Sequence, residues 1–282
     1  ALRTLERETA DSPVQAKARQ QLRLVMAVDA GAWDQLEQHE VALSLANGPM
    51  AEEAIGLSGR LAPWALRHLG ERARSTALAR FDTDLAHARA LLGQATLNDR
   101  DLAGMAVLYA AYVAADEGNG ALARALLAET EPLLAAAPFP SLANMHALVV
   151  ARLLLDAGNP TGALQALGRW MEGDELYLTR VLVARAHVAL GQHEDALREE
   201  RWLASQRGRA YAEYSGGHLL QAENVLESNL ALLRVAELAL QLQDPQAAMQ
   251  AFTAFQTAWP TLPDTPGLAG RVAAVATALS YE

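Results

Sequence analysis

The 282-residue chain has no cysteine, one isoleucine (Ile55), one lysine (Lys17) and four phenylalanines. Without thiols there is no disulfide, no thiolate nucleophile and no cysteine metal ligand; cytoplasm and periplasm both fit, with the cytoplasm expected. So few β-branched and aromatic side chains leave little to fill a pleated surface, which excludes an all-β or doubly wound fold. Positive charge is scarce too. A net charge of −10 argues against a nucleic-acid backbone as partner. The longest uncharged stretch, Pro132 to Ala151, is broken by Pro138, Pro140, Asn144 and His146, so no membrane span is expected.

What the chain does have is 60 alanines and 48 leucines. These are strong helix formers, and alanine lets helix axes approach closely, so the expected fold is all-α. Together with the alanine excess, 22 arginines to one lysine suggest a GC-rich bacterial genome. The chain opens at Ala1, and Leu2 to Ala10 lacks an apolar signal core, so it is read as a piece of a longer protein.

Internal repetition is the next signal. Three corners, Asp116-Glu-Gly-Asn-Gly120, Asp156-Ala-Gly-Asn-Pro160 and Leu190-Gly-Gln-His193, each follow a helical run and precede a second amphipathic one. A fourth unit turns at Gln243-Asp-Pro245 and continues through Phe252 and Phe255 to Pro260. Second helices carry Ala123, Ala163, Ala196 and Ala248 near their starts; first helices carry Ala111, Ala151, Ala184 and Ala236 twelve residues earlier. On these residues, the segment from about 102 to 260 resembles tetratricopeptide repeats, whose eighth and twentieth positions are small where paired helices touch. The repeat's usual tryptophan and tyrosine are missing, and the spacing between units is uneven.

The resemblance implies a right-handed superhelical α-solenoid of antiparallel helix hairpins. Residues 1–100 are expected to form degenerate hairpins on the same stack, 101–262 the repeats, and 263–282 a capping helix; an insertion falls near 205–222. Within the first hundred residues, helices are expected over Val14 to Asp29, Trp33 to Ala46, Ala51 to Leu69 with a break at Pro63, and Glu71 to Leu92. Leu268 to Leu279 is expected to close the open end of the stack.

In such a stack the first helices line a concave face. The resemblance places Tyr112, Arg152, Arg185 and Glu237 on it, with the two arginines one repeat apart and able to clamp a carboxylate. The insertion concentrates Trp202, Arg207, Arg209, Tyr211 and Tyr214, residue types that anchor interfaces. An equally simple reading packs the insertion onto the stack and pairs Arg152 with Asp156 at i+4.

Catalytic and metal patterns are absent from the sequence: the seven histidines form no compact ligand spacing, and neither a nucleophile elbow nor a phosphate loop occurs. Asp82-Thr-Asp84 reads as a solvated helix turn and His187 as a core or boundary histidine. The expected function is a protein- or peptide-binding scaffold for an acidic partner, without enzyme activity or cofactor. The alternative is the ligand-sensing part of a bacterial signalling or transcription-regulating protein. A third reading, an all-α hydrolase, needs two inward carboxylates at catalytic separation, and the expected face offers only Asp116, Asp156 and Glu237 in different units.

Overall fold

A computed structural model describes residues 13–36, 38–39, 57–94, 97–135, 140–171, 173, 175–263, 265 and 267–280. Their regular structure is all helical, with no strand among them. The helices are α1 (Pro13–Ala30), α2 (Leu57–Leu61), α3 (Glu71–Leu78), α4 (Phe81–Gln94), α5 (Leu97–Asp116), α6 (Gly120–Leu134), α7 (Pro140–Asp156), α8 (Pro160–Gly168), α9 (Tyr177–Ala189), α10 (His193–Ser205), α11 (Arg207–Ala212), α12 (Gln221–Gln241), α13 (Pro245–Ala258) and α14 (Leu268–Ser280). A 3₁₀ segment, Ala62–His68, continues α2.

The four expected corners join α5 to α6, α7 to α8, α9 to α10 and α12 to α13, and each such pair packs together. All four corners close with the same hydrogen bonds. At the first, the Gly118 N–H donates to the Ala115 carbonyl and the Asn119 N–H to that of Ala114. The same pairs of bonds recur around Gly158, Gly191 and Gln243. This is the Schellman ending of a helix, which requires a left-handed residue. Gly118, Gly158 and Gly191 supply it at φ of 79°, 71° and 71°, and Gln243 adopts 58° despite its side chain. Asn119, Asn159 and Asp244 then cap the following helices through their side-chain oxygens. The eight alanines singled out above are all fully buried.

First helices also pack on first helices, α5 on α7, α7 on α9 and α9 on α12, and α8 and α10 each pack on the next first helix. A fifth Schellman corner, around Gly31, ends α1. Beyond its neighbour α2, α1 packs on α12 rather than on the first of the four hairpins. There Trp259 meets the Trp33 ring edge-on at 4.9 Å and donates from Nε1 to the Val28 carbonyl at 3.0 Å. A Cβ on Gly31 would lie 3.3 Å from Trp259, so the glycine serves the packing as well as the turn. One apolar core runs from Leu24 to Val275.

Three expectations about the N-terminal hundred residues need revision or narrowing. Trp33 to Ala46 is helical at 33–36, and beyond 39 it lies outside the described residues, as do 51–56. Pro63 does restart the chain, as the opening of the 3₁₀ segment. The single helix expected over Glu71 to Leu92 is instead two, parted at Ala79-Arg80. The break lets Phe81 bring its ring to 4.9 Å from Trp64 and lets Asp84 pair with Arg60. Asp84 is therefore buried and paired rather than solvated. At the other end, α14 lies over α12 and α13.

Candidate functional site: a buried charge network on the first helices

The first helices α5, α7, α9 and α12, together with the 3₁₀ segment, converge on one polar network. Its centre is Arg67, whose guanidinium is wholly buried. It donates to Glu223 on α12 at 2.7 and 2.9 Å, to Asp116 at the end of α5 at 3.0 Å, and to the Trp64 carbonyl. Tyr109 donates its hydroxyl to Glu223 at 3.0 Å, and the His68 ring lies 3.0 Å from the same carboxylate. Asp116 also takes Arg152 from α7 at 3.2 Å, with Arg185 of α9 at 4.0 Å. Arg185 bonds Glu227 at 2.8 Å, and Arg234 joins Glu227 to Glu200.

Four positive and four negative side chains thus alternate through the interior. Burying a lone charge is costly, so such a network holds only because each member is paired. The protonation tendencies follow. Burial alone would push Glu223 up, but Arg67 and His68 outweigh it and hold its carboxyl at about 2. Asp116 is likewise held well below the ordinary carboxylate range against its burial by Arg67, His68, Arg185 and Arg152. Glu227 is lowered by Arg234 and Arg185. Glu200 goes the other way, since its burial outweighs Arg234, and burial raises Glu213 too.

These opposed shifts give stability a pH optimum. Glu223, Asp116 and Glu227 bind protons more weakly folded than unfolded, so their contribution is complete above the ordinary glutamate value of 4.5 and is lost as pH falls towards about 2. Glu200 and Glu213 bind protons more tightly folded, so their contribution grows as pH drops towards the ordinary value of 4.5. The melting temperature should peak in mildly acidic buffer and fall steeply below it. A melting temperature that stays level from about pH 5 to about pH 2.5 would refute this assignment.

The residues expected on a concave face have definite places here. Tyr112 is fully buried, and burial raises its phenol. Arg152 does pair with Asp156 at 2.9 Å, but also with Asp116, so the two arginines are already supplied with anions from within the chain. That corrects the picture of a free carboxylate clamp. Glu237 is engaged by Arg271 of α14 at 2.7 Å.

The insertion is packed down as well. Arg207 pairs with Asp29 and donates to Asn229 at 2.9 Å. Trp202 stacks near Tyr177 and lies beneath the guanidinium groups of Arg180 and Arg209 at 4.3 and 5.3 Å. Tyr211 is half-buried, and its carbonyl accepts from Gln221. Only Tyr214 stands well out, 65% exposed. His187, half-buried, meets Gln192 at 2.7 Å, a boundary position.

Sequence reasoning passed over Arg67, Glu223, Glu227 and Arg234. The available signal was Gln221 to Asn229, where six of nine residues are polar at the start of a helix and yet all nine are buried. Among the described residues no group of three or more histidines and carboxylates could hold a metal ion. No helix among them is long and apolar enough to cross a membrane. Comparison with protein-family models, curated proteins and solved structures finds no match.

Proposed function

We propose that this chain is a tetratricopeptide-like module, a right-handed stack of helix hairpins, that binds a protein or peptide segment along the inner face of its first helices and performs no catalysis. The observation that carries the reading is the segment already seated there. Residues 57–69 lie against α5 and α12, with Arg67 between two carboxylates and Trp64 in contact with Tyr109 and Phe81. An arginine and a tryptophan in desolvated pockets are the usual anchors of a protein interface. The repeated corners and buried alanines support the repeat assignment, since they place like residues at like points of successive hairpins.

This arrangement favours a partner segment that is basic and aromatic, where the sequence suggested an acidic one. A labelled peptide of residues 57–69 tests the reading. It should bind the Trp64→Ala, Arg67→Ala chain with micromolar affinity, once native helix content is verified, and leave the unaltered chain, whose own segment fills the face, unbound. Binding to neither, or equally to both, would overturn the proposal. A second reading, the ligand-sensing module, is favoured by one separate feature, a cleft at the other end of α5.

A further inference from the structure

A cavity of about 660 Å³ lies between the starts of α5 and α7, the approach to α9 and the Arg209–Gly216 segment. Its size falls within the range of small-molecule sites. Leu102, Met105, Pro140 and Leu176 give it an apolar floor. Among the described residues, three carboxylates, of Asp101, Glu175 and Glu213, and one guanidinium, of Arg209, face it.

Two of those carboxylates are satisfied by the protein. Glu175 accepts from Arg180 at 2.9 and 3.1 Å and from the Gly173 N–H at 2.9 Å. Glu213 accepts the Tyr177 N–H at 2.7 Å and the Asn224 amide at 3.2 Å. Arg209 is spent on the Glu175 carbonyl at 2.6 Å, on the Glu175 carboxylate at 3.6 Å and on the Trp202 ring. Asp101 is different: its side chain is only part-buried, and its Oδ2 has no hydrogen-bond partner among the described residues. Its partial burial raises that carboxyl. Among the described residues this leaves one carboxylate without an ion-pair partner.

The rim is shaped for an occupant of opposite sign. Tyr214 holds its ring edge-on to His218 at 4.8 Å while remaining mostly exposed, leaving aromatic surface for a cation to approach. The rim is anchored to the floor at Gly216, where φ is +61° and a Cβ would come within 3.2 Å of Met105 and 3.1 Å of Leu219. The rim is therefore packed closely onto the floor.

We propose that this cleft binds a small organic cation, a protonated amine on an apolar body, whose ammonium group pairs with Asp101 while its apolar part covers Leu102 and Met105. The site does not rest on the partner-binding reading, because it needs neither Arg67 nor the segment that carries it.

Calorimetric titration of the whole chain with phenethylamine, tyramine and tryptamine tests the assignment, alongside 2-phenylethanol and 3-phenylpropionate. At least one amine should bind at one site, and the alcohol and the carboxylate should not. Asp101→Asn should weaken the amine by about tenfold or more, while its own melting temperature stays level or rises, since no ion pair is lost with the charge. Failure of all three amines at millimolar concentration would overturn the proposal. So would unchanged amine affinity in Asp101→Asn, or 3-phenylpropionate binding as tightly as its amine counterpart, which would make Arg209 the determinant.

Discussion

Replacing Arg67 by methionine is expected to cost about 3–5 kcal/mol of stability, a fall in melting temperature on the order of 10 °C. The size follows from what stays behind. Methionine fills much of the volume, but Glu223 and Asp116 lose the guanidinium that outweighs their burial, and two carboxylates remain in the interior with only His68, Arg152 and Arg185 nearby. Truncating one side of a buried pair leaves the other uncompensated, which costs far more than the pair's net worth. Adding Glu223→Gln should therefore recover a good part of the loss, since a neutral amide can still accept from Tyr109. Thermal melts of the two single variants and the double variant measure this. A single-variant shift below about 3 °C, or a double variant that merely sums the two losses, would contradict the role given to Arg67.

The second large effect concerns Trp259. Its ring is buried against Trp33, Phe255 and the bare backbone of Gly31, and its indole N–H holds the Val28 carbonyl. Trp259→Ala should cost about 3–5 kcal/mol, the usual range for removing a buried large aromatic. The damage should be directional. Because Trp259 seats the end of α1 on the last hairpin, limited proteolysis should cut faster between residues 31 and 70 than elsewhere. Trp259→Phe keeps most of the packing and loses the indole bond, so its cost should be nearer about 1 kcal/mol. Equal proteolytic acceleration along the whole chain in Trp259→Ala would show that the ring supports the core generally instead of this junction.

How far the fold could be read from sequence depended on how local each cause was. The corners at Gly118, Gly158 and Gly191 were legible because a left-handed residue must end those helices, and glycine is the residue that pays nothing for it. Gln243 was legible only through the Asp-Pro pair after it. The restart at Pro63 followed from the missing N–H. The break at Ala79-Arg80 had no such mark. It contains neither proline nor glycine, and its cause is tertiary: Phe81 turning onto Trp64 and Asp84 onto Arg60.

The candidate site divides along the same line. Helical spacing located Arg152 and Arg185 on first helices, yet their partners Asp116 and Glu227 come from other units and no spacing rule reaches them. Arg67 arrives from a segment whose own sequence resembles only a degenerate hairpin. Glu223 and Glu227 stand at the start of α12, ahead of the part that the repeat resemblance covers, so that frame did not draw attention to them. Asp101 carries no sequence signal at all; what distinguishes it is an Oδ2 without a hydrogen-bond partner among the described residues, which only the fold reveals.

The contact between Trp33 and Trp259 joins residues more than two hundred positions apart. Open arrays of helical repeats lose structure piecemeal, because each unit touches only its neighbours and the terminal ones fray at little cost. Here fraying from the α1 end must first unseat Trp259, and loosening the last hairpin exposes α1 and the ion pairs beneath it. The two ends share one fate. Heat should melt the molecule in a single cooperative step, with calorimetric and van't Hoff enthalpies in agreement, where an unclasped stack of the same hairpins would unravel by stages.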